Sequence, residues 1–214
     1  MAKDPAGAQA VGRLGEALNR MGANWEYRVS DMTSGENSYK RERYAFLWKP
    51  SKAKLLGRPW LEQTYHVEVD REPFMATFII GADTVTLLNF HAITAANQPE
   101  TEVKYFKFLP AAYPNLNLLF AGDFNLTESH TVFNPLKKMG YAPALVGQET
   151  SVKKNCIVEE CLSKEFDNYF YNATRLALQS SSVLHFYKEF EFMEEAIHLS
   201  DHLPIIATFS FIEK

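Results

Sequence analysis

The sequence predicts an α+β fold in which strands dominate and the central ones are covered on both faces of a layered sandwich. Three observations lead there. Asn117 to Glu128 holds a short apolar run that ends in Gly122 and is bracketed by polar positions, the pattern of a buried strand. Thr84 to His91 is largely apolar on both alternating faces, Val85 and Leu87 on one and Leu88 and Phe90 on the other. Helical spacing is short by comparison, as in Val11, Leu14, Leu18 and Met21.

With 214 residues, 46% apolar and 14% aromatic, the chain can fill one substantial core, and no linker-like stretch divides it, so residues 1–214 are expected to form a single domain. The formal charge of −4 argues against a broadly basic, nucleic-acid-coating surface while allowing a local basic face around a metal-neutralised acidic centre. No apolar run is long enough to span a bilayer, and the amino terminus lacks the sections of a signal peptide. Cys156 and Cys161 are the only cysteines; they close a small loop or remain two thiols according to compartment, and no nearby His completes a zinc finger.

In chain order, Asp4-Pro5 opens a helix that Gly22 ends, with Asp4 as cap and Pro5 at the first helical position. Trp25 to Val29 reads as a strand, 31–40 as a polar loop, and Glu42 to Trp48 as a strand that exits at Pro50. Residues 63–69, 73–80 and 84–91 read as three more strands, followed by a helix over 99–109 with Val103, Phe106 and Leu109 as its inner stripe. After the Asn117–Glu128 strand, Asn134-Pro135 begins a short helix that Gly140 terminates. Tyr141 to Glu165 reads as an irregular excursion with one strand. Phe166–Tyr171 and 174–187 are strands, 189–196 a short helix, and Leu203–Phe211 a last strand with Leu203, Ile205, Ala207, Phe209 and Phe211 on one face.

The chemistry-bearing residues sit at the ends of these elements. Asp123 and Asn125, two apart, point the same way from an extended chain and offer a hard cation or a phosphate one charged and one neutral oxygen. Alone, Gly-Asp-x-Asn is more often an Asx turn. Glu42 lies in a charged run, Arg71 in Arg-Glu-Pro, His91 ends a strand, and Asp167 sits among aromatics where an acid is costly unless paired. His66, His130, His185 and His198 have no evident partner and are read as structural or solvent-exposed.

Taken together, the ordered series Arg41-Glu42-Arg43-Tyr44, Arg71-Glu72-Pro73, Asn89-Phe90-His91, Gly122-Asp123-Phe124-Asn125, Phe166-Asp167-Asn168 and Ser200-Asp201-His202 resembles the endonuclease/exonuclease/phosphatase superfamily. Its Glu-Arg-Tyr and Arg-Glu-Pro elements are most similar to deoxyribonuclease I. The resemblance implies a four-layer α/β/β/α sandwich of two mixed β-sheets. It also implies a divalent-metal-dependent phosphodiesterase, with Mg2+ or else Mn2+ or Ca2+ as cofactor and DNA as substrate, leaving a 5′-phosphate. His202 would be the general base oriented by Asp167, and His91, paired with Glu42, the general acid. Asp201 and Asp123 would hold or second the metal, Asn125 the metal or scissile phosphate, and Arg71 a phosphate oxygen. The chemistry asks for such parts, because a phosphodiester repels nucleophiles until its charge is neutralised and its protons are moved. A small phosphoester substrate, such as a phosphoinositide or sphingolipid headgroup, and a catalytically silent binding domain are the alternatives.

The departure from the family is at the front, where the resemblance calls for a strand carrying Asn and a second ending in a metal-binding Glu. Met1-Ala2-Lys3 supplies neither. The sequence is therefore expected to be an amino-terminally shortened form, with any secretion signal upstream and the compartment open. Weakened metal binding, exposed apolar surface and unpaired sheet strands able to exchange with another copy, or reduced stability, follow from that expectation.

Overall fold

The computed structural model describes residues 5–35, 41–153 and 161–213. Asp4, Lys40, Lys154, Cys156 and part of the expected 31–40 loop lie outside them. Its centre is a six-stranded mixed sheet in the order β3-β4-β5-β6-β8-β7, formed by Lys54–Leu61 (β3), Phe74–Ile80 (β4), Asp83–His91 (β5), Leu118–Asp123 (β6), Tyr141–Pro143 (β7) and Asp167–Asn172 (β8). β5 and β6 run parallel, and the other pairings are antiparallel. This mixed α/β arrangement is the one that the resemblance implies, with the expected second sheet present as two separate antiparallel pairs.

One face of this sheet is sealed by helices. Phe90, Phe106, Phe120, Phe124, Phe133 and Phe170 form its core with Met75, Leu88, Val103, Leu109 and Leu136. Val103, Phe106 and Leu109 come from the expected inner stripe, but the helix itself is broken into α2 (Glu100–Val103), a 3₁₀ turn and α3 (Leu109–Ala112) with Pro110 in its first turn. Asn134–Lys138 (α4) is followed by Gly140 at φ 89°, as the Asn-Pro and Gly signals predict.

The opposite face carries two separate two-stranded sheets, β1 (Glu26–Val29) with β2 (Ala45–Trp48), and β9 (Leu176–Val183) with β10 (Ile205–Phe211). β2 lies over β4, with Phe46 stacked on Phe74 at 5.2 Å between ring centres and Trp48 edge-on to Phe78 at 5.4 Å. β10 lies over β8 through Phe209 against Tyr169 and Tyr171. Between β4 and β8 in the sheet below run β5 and β6, so the upper layer is interrupted by about two strand positions, three spacings of roughly 4.8 Å. An apolar groove of about 360 Å³, lined among others by Phe46, Val85, Leu87, Leu119 and Phe211, occupies that interval.

α1 (Pro5–Arg20) packs on β1, where Tyr27 lies against Gly12 and Gly15. Near the carboxyl end, α5 spans Met193–Leu199, displaced from the expected 189–196. Two other readings need correction. Residues 63–69 are turns rather than a strand: the Glu62 carboxylate accepts the Thr64 and Tyr65 N–H groups at 2.8 and 2.9 Å, and the Glu68 and Val69 N–H groups return to the Tyr65 carbonyl. β3 is an edge strand with no counterpart among the expected elements, and its Gly57-Arg58-Pro59 is accommodated as a register shift between Leu56 and Trp60. The 42–48 strand begins later, at Ala45. Cys161 is disulfide-bonded. No helix among the described residues is long and apolar enough to cross a membrane.

Candidate active site

Three neighbouring strands of the large sheet end at one rim, and their register sets the site. His91 is opposite Asp123 in the β5–β6 pair, and Asp123 is opposite Asp167 in the β6–β8 pair. Parallel strands of period two thus carry Val85, Leu87, Asn89 and His91, and Leu119, Ala121 and Asp123, along the grooved face to a common end. The approach is close enough to require glycine. Gly122 has φ 142°, and a Cβ there would stand 1.9 Å from the Phe90 carbonyl oxygen.

The remaining parts arrive from the flanking segments. Glu42, just before β2, is 5% exposed and accepts a hydrogen bond from His91 Nδ1 at 2.8 Å and from Arg71 Nη1 at 3.0 Å. Burial alone would raise the Glu42 pKa, but the hydrogen bond and charge of His91, with the charge and hydrogen bond of Arg71, outweigh it and hold the carboxyl low. Arg71 is itself buried: Nη2 donates to the Ala92 carbonyl, and Nη1 also lies 3.1 Å from His91 Nδ1. With Nδ1–H directed at Glu42, the Nε2 of His91 faces outward. Tyr44 locks this corner: its hydroxyl donates to the Arg71 carbonyl at 3.4 Å and accepts the His91 N–H at 3.3 Å.

On the other side, His202 precedes β10 and points Nδ1 at Asp167 Oδ2, 2.7 Å away. The fully buried Thr150 donates its hydroxyl to the same oxygen at 2.7 Å and accepts the Asp167 N–H at 3.0 Å. A bridge between Ser151 and His202 fixes the backbone. The hydrogen bond to Asp167 raises the His202 pKa to about 9 against the opposing effect of burial, with the charges of Asp167, Asp123 and Asp201 adding to the rise.

Asp123 lies between the two halves. Its Oδ2 is 3.4 Å from His91 Nε2 and 3.8 Å from His202 Nε2. Its Oδ1 accepts the Asn125 N–H at 2.8 Å, so the Asx turn forms here too, with Asn125 at φ 51°. Asn125 Nδ2 points to the Ala92 carbonyl and to Asp123 Oδ2 at 3.1 and 3.4 Å. Burial, then the charge of Asp167, raises the Asp123 pKa. Two crowded carboxylates are what a hard cation would relieve, and ligand atoms of Asp123, Asp167 and His202 lie within 4.8 Å of one another. Because Asp167 and His202 are already bonded to each other, Asp123 is the carboxylate best placed to face such an ion. Asp201 is exposed beside them.

Glu42, Arg71, His91, Asp123, Asn125, Asp167 and His202 are therefore hydrogen-bonded or in ionic contact within one constellation. Thr150 and Glu102, which accepts backbone N–H groups from Asp70 and Ile93, were not singled out. Their partners are dozens of residues or a loop away, and no local pattern marks them. His66, His130 and His198 make local bonds, to Gln63, Val132 and Glu194.

No family model matches the chain. A curated deoxyribonuclease from Thioalkalivibrio sp. (strain K90mix) is 34% identical over 138 residues, 58% of this chain, and the chain spans 37% of that relative's length. The catalytic domain of human Nocturnin with bound sulfate superposes with a TM-score of 0.65 at 14% identity, over 93% of this chain and 76% of that one. A humanized D. rerio TDP2 gives a TM-score of 0.66 at 15% identity over 96% and 82%. The 3′ phosphatase NExo from Neisseria, bound to product DNA hairpin, gives 0.63 at 14% over 92% and 82%. An endonuclease/exonuclease/phosphatase family protein from Bacteroides thetaiotaomicron is similar at 0.65, with 12% identity over 92% and 78%. The chain has the fold of the endonuclease/exonuclease/phosphatase proteins.

Proposed function

We propose that the chain is a hydrolase of phosphoric ester bonds, a divalent-metal-dependent phosphodiesterase acting as an endonuclease on DNA. The observation that carries this reading is the pairing of two imidazoles, each with its own carboxylate, on either side of Asp123. Two histidines with separately tuned partners are suited to opposite proton transfers in one reaction. The 34% identity to a deoxyribonuclease supports DNA as the substrate.

In this mechanism His202, in its neutral form, takes a proton at Nε2 from the attacking water, while Asp167, itself held by Thr150, fixes the ring through Nδ1; its pKa of about 9 puts that form above neutral pH unless nearby positive charge lowers it. The P–O bond to the leaving group breaks, and His91 Nε2 protonates the departing oxygen, with Glu42 steadying the imidazolium. Arg71, buried and bonded to Glu42 and the Ala92 carbonyl, places its positive charge beside that pair and acts on a phosphate through its field rather than by direct contact. Mg2+, or Mn2+ or Ca2+, held by Asp123 with Asn125 and Asp201, would supply Lewis-acid neutralisation of the phosphate charge. Self-association through the open edges of β2 and β10 belongs to the same reading, because unpaired edge strands invite pairing with another chain.

Conversion of supercoiled plasmid to nicked circles is the test, with Mg2+ or EDTA and across a salt titration. Mg2+-dependent nicking that weakens with salt supports the reading. Turnover of a soluble phosphoester headgroup with no nicking would replace the substrate, and no turnover of either would remove the activity.

A further inference from the structure

Glu102 is an acid that the proposed chemistry does not use, yet it is 3% exposed. Burying a carboxylate is costly unless its oxygens are satisfied, and those of Glu102 are taken by backbone. Oε1 accepts the Asp70 N–H at 2.7 Å, and Oε2 accepts the Ile93 N–H at 2.9 Å. The residues next to these donors, Arg71 and Ala92, are the two that bond to each other through Arg71 Nη2 and the Ala92 carbonyl. That carbonyl also receives Asn125 Nδ2 at 3.1 Å. One carboxylate from α2 therefore ties together two chain segments at the point where the arginine is aimed at Glu42 and His91.

We infer that Glu102 is a positioning residue for the active centre: by bridging the Asp70 and Ile93 amides it sets Arg71 against the His91–Glu42 pair. The inference rests on the phosphodiesterase reading for its effect on rate, but not for its effect on geometry. Both backbone partners are donors, so two acceptor oxygens are required. Glutamine presents one acceptor and one NH2, which turns a donor against a donor at one of the two amides. Aspartate keeps both acceptors, set back by one methylene.

The test compares Glu102→Gln, Glu102→Asp, Arg71→Ala and the double variant Glu102→Gln/Arg71→Ala in plasmid cleavage, with Leu136→Ala as a core variant of comparable stability loss. Glu102→Gln is expected to lower kcat/KM by about 10–100-fold, with Glu102→Asp recovering part of the loss. Because Glu102 acts through Arg71, the double variant should fall within about threefold of Arg71→Ala alone, whereas independent effects would multiply. Leu136→Ala should melt earlier at unchanged kcat/KM. Multiplicative losses, or an equal loss in Leu136→Ala, would overturn the inference. If the parent cleaves no phosphodiester, the functional reading fails by itself, and a crystal structure of Glu102→Gln still decides: Arg71 Nη2 displaced from the Ala92 carbonyl supports the inference, and an unmoved guanidinium refutes it.

Discussion

His91 and His202 meet at one atom, their Nε2 nitrogens lying 3.4 and 3.8 Å from the same Oδ2 of Asp123. Each ring is held from behind at Nδ1 by a different carboxylate, Glu42 at 2.8 Å and Asp167 at 2.7 Å. The two halves are thus alike in design and opposite in position. Replacing either histidine with alanine is expected to lower phosphodiester cleavage by about 10²–10⁴-fold, the usual contribution of a positioned acid or base. Single-turnover cleavage of a labelled duplex measures both, and a His202→Ala enzyme as fast as the parent would remove the base from the mechanism.

The raised pKa of His202, about 9, makes a prediction about stability without added metal. A group whose folded pKa exceeds its unfolded value, about 6.5, stabilises the fold fully below the latter and ceases to do so as pH rises through the former. Thermal melts in EDTA should therefore lose this contribution between about pH 6.5 and pH 9. Asp167→Asn, which removes the main cause of the shift, should flatten the profile over that interval, and an unchanged slope would contradict the assignment.

Charge also gives a readout for metal. Carboxylates raise the His202 pKa, so a divalent cation bound beside Asp123 should lower it. Imidazole resonances titrated by NMR with and without Mg2+ test this directly. The expected result is a downward shift that EDTA reverses and that Asp123→Asn abolishes.

Gly122→Ala probes the junction that brings His91 alongside Asp123. Its Cβ would stand 1.9 Å from the Phe90 carbonyl oxygen at a backbone φ of 142°. A loss of about 2–4 kcal/mol is expected in denaturant melts, in line with strained backbone substitutions. Tolerance of alanine would mean that the parallel β5–β6 pair can part enough to admit a Cβ beside the Phe90 carbonyl.

If the open edges of β2 and β10 pair between copies, molar mass by light scattering should rise with concentration. A constant monomer mass over the accessible range would remove self-association from the proposal.

Much of the site was legible because its residues close strands. His91 and Asp123, at the ends of two apolar runs, must lie side by side once β5 and β6 are neighbours, whereas Asp167, which opens β8, was legible only through its motif. Glu42 and His202 were legible only through the ordered motifs, since they enter from segments outside that sheet. Glu102 and Thr150 were not legible, because a buried side chain that binds a distant amide leaves no periodicity behind. The same cause misled the reading of 63–69, where Thr, Tyr, His and Val alternate as in a strand but Glu62 captures the backbone amides locally.

The interrupted upper layer has a mechanical consequence for the catalytic parts. His91, Asp123 and Asp167 share one continuous hydrogen-bonded frame, whereas Glu42 enters beside β2 and His202 beside β10. Among the described residues these two strand pairs exchange no ladder bonds with each other, so the large sheet beneath is what links them. A displacement of one pair would move Glu42 without moving His202, or the reverse. In the proposed reaction, stiffness across the groove would be what keeps the two proton transfers in step.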